Sequence, residues 1–119
     1  MIEKFKEMVV RNGGQVVEQL PEDPSLYRII SPFGVAENGA VWIGEKEYKP
    51  DLFLAERVGV VVESLVASME EGLARIDSPG LFMAGPSKTA DVESFLVFGA
   101  HGPMELLVEL KLPFFTPES

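Results

Sequence analysis

The chain has no cysteine and a single histidine, His101. Without thiols it forms no disulfide, carries no iron–sulfur cluster of its own and offers no thiolate ligand to zinc. One imidazole alone is too few donors for a histidine-based metal site. The absence of cysteine fits a reducing compartment, so a cytoplasmic location is expected. Basic residues are scarce too: 10 Lys and Arg stand against 19 Asp and Glu, a net charge of −9. A nucleic-acid binder needs a cationic footprint that displaces counterions, and an anionic membrane surface selects for the same feature. Neither partner is expected. A small anionic metabolite stays open, because a pocket answers to its local donors and not to net charge. No apolar run approaches the roughly 20 residues of a membrane span. The opening MIEKFKEMVV is amphipathic and charged, unlike a signal peptide.

What remains is a chain of 119 residues, 46% of them hydrophobic. That suits one domain, residues 1–119, with a core large enough to need no covalent staple. Ile2, Phe5 and Val9, with Met8 one step aside, predict a helix over 2–12, stopped by Asn12-Gly13-Gly14. Residues 15–20 and 26–30 predict strands around a proline-rich loop at 21–25. Residues 34–44, GVAENGAVWIG, read two ways: a hairpin turning at Asn38-Gly39, or a strand broken where backbone must come close to something. Residues 45–51 predict a charged, solvated loop. The Val-rich 56–64 predicts a strand covered on both faces. Leu65, Met69, Leu73 and Ile76 mark one face of a helix that ends before Asp77. A short buried strand at 81–84, a helix opening at 88 and a last strand over 104–111 follow, and Leu107 breaks strict alternation as if both faces were covered. Strands alternating with helices predict an α/β fold, a mostly parallel sheet flanked by helices. In such sheets ligands sit beyond the carboxyl ends of strands, at helix N-termini.

Polar chemistry concentrates in AGPSKTADVESFLVFGAHGP, residues 84–103. Ser87 or Thr89 can cap a helix, and Asp91 and Glu93 suit its positive first turn. The same free amides, with Gly85 admitting close backbone approach and Ser87, Lys88 and Thr89 as donors, can hold a phosphate or carboxylate. The spacing is not that of a P-loop. Asp91 and Glu93 repel a bare anion, and fit better as partners of Lys88 or of a ligand hydroxyl. His101, between Ala100 and Gly102, reads either as a structural histidine or as an acid–base group. No nucleophile elbow surrounds Ser87.

Two linked motifs in this stretch carry a resemblance. Gly85-Pro86-Ser87-Lys88-Thr89-Ala90-Asp91 with Glu93, then Gly99, His101, Gly102 and Pro103, is similar to the C-terminal motif of the LUD domain family, which includes lactate utilization protein C. Upstream, VAENGAVWI at 35–43 resembles a second family segment: Ala36, Glu37 and Gly39 match, while Asn38 and Ala40 replace two threonines. The resemblance covers about residues 33–112, and relatives carry a longer N-terminal region. It implies a fold like ribose-5-phosphate isomerase and the CoA transferases (NagB/RpiA/CoA transferase-like). It also implies an accessory or ligand-binding role in lactate or carboxylate utilization, beside iron–sulfur or dehydrogenase subunits. No particular cofactor is implied. The AENG segment is in addition similar to the SENG segment of class I CoA transferases, whose glutamate attacks an acyl-CoA. That likeness makes Glu37 the nucleophile or base and His101 the acid–base partner of a small acyl-CoA or sugar-phosphate enzyme.

Under either implied role the ligand contacts fall on Asn38, Gly39, Gly85, Ser87, Lys88, Thr89, Asp91, Glu93 and Gly102. A third reading is an interaction module: Trp42, Phe114 and Phe115 form an exposed apolar patch that joins copies into a homo-oligomer, or else fold onto the core. The pocket reading carries one geometric expectation. The glutamate turn, the Ser87–Thr89 segment and the His101 loop should converge on one rim.

Overall fold

The computed structural model describes residues 1–47, 52, 55–85 and 105–112. Two helices and eight strands are defined among them. The chain opens with α1 (Ile2–Arg11), whose buried face is Phe5 and Val9. It continues through β1 (Gln15–Val17), β2 (Tyr27–Ser31), β3 (Gly34–Val35) and β4 (Val41–Gly44). Then come β5 (Arg57–Val62), β6 (Leu65–Val66), α2 (Met69–Arg75), β7 (Gly80–Met83) and β8 (Glu105–Leu110).

The strands form two sheets. The first has the order β1-β8-β5-β2, and every neighbouring pair in it is parallel. The second has the order β6-β3-β4-β7 and is mixed: β4 runs antiparallel to both β3 and β7, while β3 and β6 are parallel. The α/β class with a largely parallel sheet is therefore present. The arrangement departs from a single sheet flanked by helices, because the second sheet shares a core with the first. Val58, Val60, Val62, Leu106 and Val108 point from the parallel sheet into one cluster with Val41, Ile43, Leu81 and Met83 of the mixed sheet, and Phe5 and Val9 of α1 join them.

Continuous apolar runs in the sequence follow from this layering. In the mixed sheet the other strand face carries Phe33, Val35, Trp42 and Phe82, covered by α2. In the parallel sheet Leu107 turns away from the main core and meets Leu20 and Leu26, which flank the proline-rich loop. Both faces of these strands are covered, so period-two alternation is lost.

Several local expectations change. Residues 34–44 are a hairpin, closed by Val35 N–H donating to Ala40 O at 2.8 Å and Gly39 N–H donating to Val35 O. The expected helix face Leu65–Met69–Leu73–Ile76 does not form. Leu65 belongs to β6 and pairs with Gly34, and the helix starts only at Met69. Leu73 is exposed, and α2 buries Gly72 against the sheet instead. Ser68 sets this start: its extended backbone and hydroxyl cap the helix by accepting from Glu71 N–H. The strand at 80–83 is buried as expected, but it lies antiparallel to β4 and outside the parallel sheet. Trp42 is not a surface group: it is 5% exposed, stacked near Phe33 and edge-on to Phe82. The expected helix from residue 88 and the pair Phe114–Phe115 lie outside the described residues. No described helix is long and apolar enough to cross a membrane.

The hairpin turn has a demanding position. Gly39 has φ 76°, and a methyl group there would lie 2.8 Å from the Met8 carbonyl carbon. Left-handed backbone costs a side chain roughly 1–2 kcal/mol before any collision is counted. Gly39→Ala should therefore lower unfolding free energy by at least about 2 kcal/mol in urea titration. The control Gly44→Ala, with its nearest neighbour 3.9 Å away, should stay within about 0.5 kcal/mol. Equal losses in the two variants would remove the constraint.

Candidate functional site

Glu37 stands in the β3–β4 turn, where its side chain is exposed. One carboxylate oxygen, Oε2, accepts from Met69 N–H at 3.0 Å. The contact satisfies a free amide in the first turn of α2, next to the Ser68 cap. Asn38, half-buried, folds its own Oδ1 onto Ala40 N–H at 3.0 Å. Its carbonyl accepts from the Asn12 side-chain amide at 2.8 Å. Gly39 is buried against Met8 and Val9. The turn is thus held from three directions, and each hold follows from a short polar side chain or a missing one.

Gly85 ends the β7 segment with φ 87°. A methyl group on it would collide with the Asn12 carbonyl oxygen and lie 3.1 Å from Asn12 Cβ. The glutamate turn and the residue that opens the Gly-Pro-Ser-Lys-Thr motif therefore meet at one helix end. The next described element, β8, also begins nearby. Gln15 pairs with Leu107, and an added Cβ on Gly14 would be 3.5 Å from Leu106 O. The start of β8 thus lies beside the same α1–β1 turn. Ser87, Lys88, Thr89, Asp91, Glu93, His101 and Gly102 lie outside the described residues, so the third arm of the expected convergence is not described. The strand leading to Gly85 sits in the mixed sheet. The corner is consequently not the carboxyl edge of a parallel sheet, where the sequence placed it.

A charged cluster that the sequence did not reveal fixes the return strand. Arg57, at the start of β5, donates through Nε to Glu105 Oε1 at 2.6 Å. Its Nη1 donates to Ser25 Oγ at 2.7 Å and pairs with Asp23. The partners come from two segments distant from Arg57 and from each other, residues 23–25 and Glu105, and no spacing rule connects them. Parallel pairing of β5 and β8 opposes Arg57 to Glu105 directly. Asp23 also accepts from Ser25 N–H at 2.9 Å and from Ser25 Oγ at 2.8 Å. The Ser25 backbone amide, then the Arg57 guanidinium and the Ser25 hydroxyl, hold the Asp23 carboxyl down to about 2. The same carboxylates raise the Arg57 pKa, Glu105 foremost.

Two open clefts occur elsewhere. One, of about 660 Å³, is polar and lined by residues that include Glu18, Glu22, Arg28, Glu109 and Lys111. The other, of about 670 Å³, has Ile30, Phe33 and Trp42 along it, with Lys46, Glu63 and Arg75 at its rim. Arg75 lies 4.9 Å over the Phe33 ring and donates to Ser64 Oγ at 3.0 Å, while Ser64 donates to Pro32 O. Glu37, Asn38, Gly39 and Gly85 line neither cleft. Among the described residues no cluster of His, Asp or Glu is arranged to hold a metal ion. Comparison of the chain with protein-family models, curated proteins and solved structures returned no match.

Asp23 generates a pH prediction. Its folded pKa, about 2, lies below the roughly 3.9 of an unfolded aspartate. Its contribution is present in full above the unfolded value and fades as pH falls through the folded one. The urea midpoint of the wild type should drop between about pH 4 and pH 2. Asp23→Asn should lose part of that slope and converge with the wild type at the acid end. Parallel curves across the window would rule out this contribution.

Proposed function

We propose that this chain is a ligand-binding or accessory member of the LUD domain family, acting in lactate or carboxylate utilization with iron–sulfur or dehydrogenase subunits. The fold assigned with it is of the ribose-5-phosphate isomerase and CoA transferase type, and the location is the cytoplasm. One observation carries the reading. The residue that opens the Gly85–Glu93 motif and the Glu37 turn, far apart in sequence, are packed on one helix end. In this reading the ligand is a small carboxylate or related anion. Ser87, Lys88 and Thr89 supply donors, and Asp91 and Glu93 restrain Lys88 or bind a ligand hydroxyl. His101 and Gly102 close the site, with Asn38, Gly39 and Gly85 as backbone walls. Asn38 and Ala40 remove two hydroxyls from the family pattern, so the ligand is bound with fewer donors from that side.

A ligand of the native state raises apparent stability by mass action, about 2.7 kcal/mol at a hundredfold excess over Kd. In a thermal-shift panel of lactate, sugar phosphates and acyl-CoA, lactate should raise the melting temperature, and Lys88→Ala or His101→Ala should abolish most of the rise. Affinity capture from the native host should bring down an iron–sulfur or dehydrogenase subunit. The absence of both a lactate response and such a subunit would sink the proposal.

A second reading, an acyl-CoA or sugar-phosphate enzyme, is favoured by the position of the Glu37 carboxylate. It is exposed, with one oxygen fixed by Met69 N–H. Attack of a carboxylate on a thioester expels the CoA thiolate and leaves a mixed anhydride. Incubation with acetyl-CoA should then leave a hydroxylamine-sensitive adduct on Glu37, detected by mass spectrometry and missing in Glu37→Gln. An unmodified wild-type chain excludes this route.

A further inference from the structure

Three glycines of the described residues have left-handed backbone: Gly13 at φ 97°, Gly39 at 76° and Gly85 at 87°. All three belong to one corner. Gly13 follows the end of α1, Gly39 presses on Met8 and Val9, and Gly85 presses on Asn12. Asn12 stands between the other two with both halves engaged. Its side-chain amide donates to Asn38 O, and its backbone carbonyl is the surface on which Gly85 rests. Its own N–H closes α1 by donating to Met8 O. Only the amide nitrogen of an asparagine can face a carbonyl oxygen as donor. An aspartate of the same size would present an acceptor.

We infer that Asn12 is the positioning residue that couples the glutamate turn to the end of β7 at Gly85, so that a ligand held at one is sensed at the other. The inference rests on the proposed reading that these two segments form one ligand site. The two glycines fix distance, because no side chain intervenes on either approach. The Asn12–Asn38 bond fixes orientation, because the carbonyl it holds lies one residue beyond Glu37. The Met69 N–H holds the Glu37 carboxylate from the other side. Loss of Asn12 removes the inner hold on the turn, so the outer tether at Met69 N–H opens more often, and the turn is separated from Gly85.

The test uses the full chain labelled with ¹⁵N, titrated separately with L-lactate, inorganic phosphate and acetyl-CoA. In the wild type, one titrant should move the Gly39 and Gly85 amide resonances along a single saturation curve. In Asn12→Ala and Asn12→Asp, affinity read at Gly85 should weaken about five- to tenfold, the scale of one lost hydrogen bond. The Gly39 resonance should no longer follow, and Met69 amide exchange should quicken. Asn12→Asp keeps the volume and carries the test if Asn12→Ala fails to fold. Wild-type behaviour of Asn12→Asp overturns the assignment, because space and not the donor would then matter. Coupled glycines with unchanged affinity and exchange in both variants overturn it too, and leave the shared-site reading standing. No response of either glycine to any titrant in the wild type sinks that reading, and the coupling role of Asn12 with it.

Discussion

Backbone meets backbone at the end of α1, and the rest of the molecule is arranged around that contact. The helix drives Phe5 and Val9 into the core shared by the two sheets. Its last turn must then lie where the β3–β4 hairpin and the end of β7 already run. Both segments reach it by presenting glycine in left-handed conformation, at Gly39 and Gly85. A side chain at either position would collide with α1 backbone, which cannot give way as a flexible side chain can. The helix, the mixed sheet and the start of the motif segment are locked together at this corner.

The energies divide unevenly. Burying a large apolar side chain in full contributes roughly 1.5–3 kcal/mol, while an exposed ion pair contributes about 0–1 kcal/mol. Phe5, Phe33, Phe82, Ile29, Ile43 and Leu106 are completely or almost completely enclosed. The Arg57 cluster is a third or more exposed at its carboxylates. Cohesion therefore comes from the three apolar layers. The polar contacts set alignment: Arg57 sets where β8 begins beside β5, Ser68 sets where α2 starts, and Asn12 sets where the hairpin points. Among these described groups, buried side-chain polar atoms all have partners, so alignment is gained without an unsatisfied group in the core.

For function, the location of the corner matters more than its composition. Parallel α/β sheets collect ligands at their carboxyl edge, where helix N-termini face outward. Here Gly85 follows a strand of the mixed sheet, and the next described element, β8, belongs to the parallel sheet. The described residues of the proposed site, Glu37–Gly39 and Gly85, lie where the mixed sheet meets the end of α1. Glu37 also serves α2 through Met69 N–H, so any chemical role for its carboxylate shares an oxygen with a helix cap.

Much of the local structure is legible in the sequence. The spacing of Phe5 and Val9 with the following Asn-Gly-Gly gives α1 and its end, because amphipathic periodicity and breakers act within a few residues. Val-rich 57–62 and the irregular Leu106-Leu107-Val108 give strands with two covered faces, since both outcomes depend on side-chain type alone. Leu65 misleads, because apolar residues at helical spacing do not show that Ser68 will cap a helix three residues later and leave Leu65 to pair with Gly34. The linked motifs around Ser87 and His101 are equally plain in the sequence, and so is the choice of glycine at 39 and 85. The sequence by itself thus determines most of the helical, extended and turning stretches among the described residues, and which polar residue types are gathered in one stretch. Tertiary structure alone decides that β7 joins a second sheet, that Arg57 finds Asp23 and Glu105, and that Asn12 stands between Gly39 and Gly85. Those outcomes depend on how layers pack and which backbones can touch, and long-range contact of that kind leaves no periodic trace along the chain.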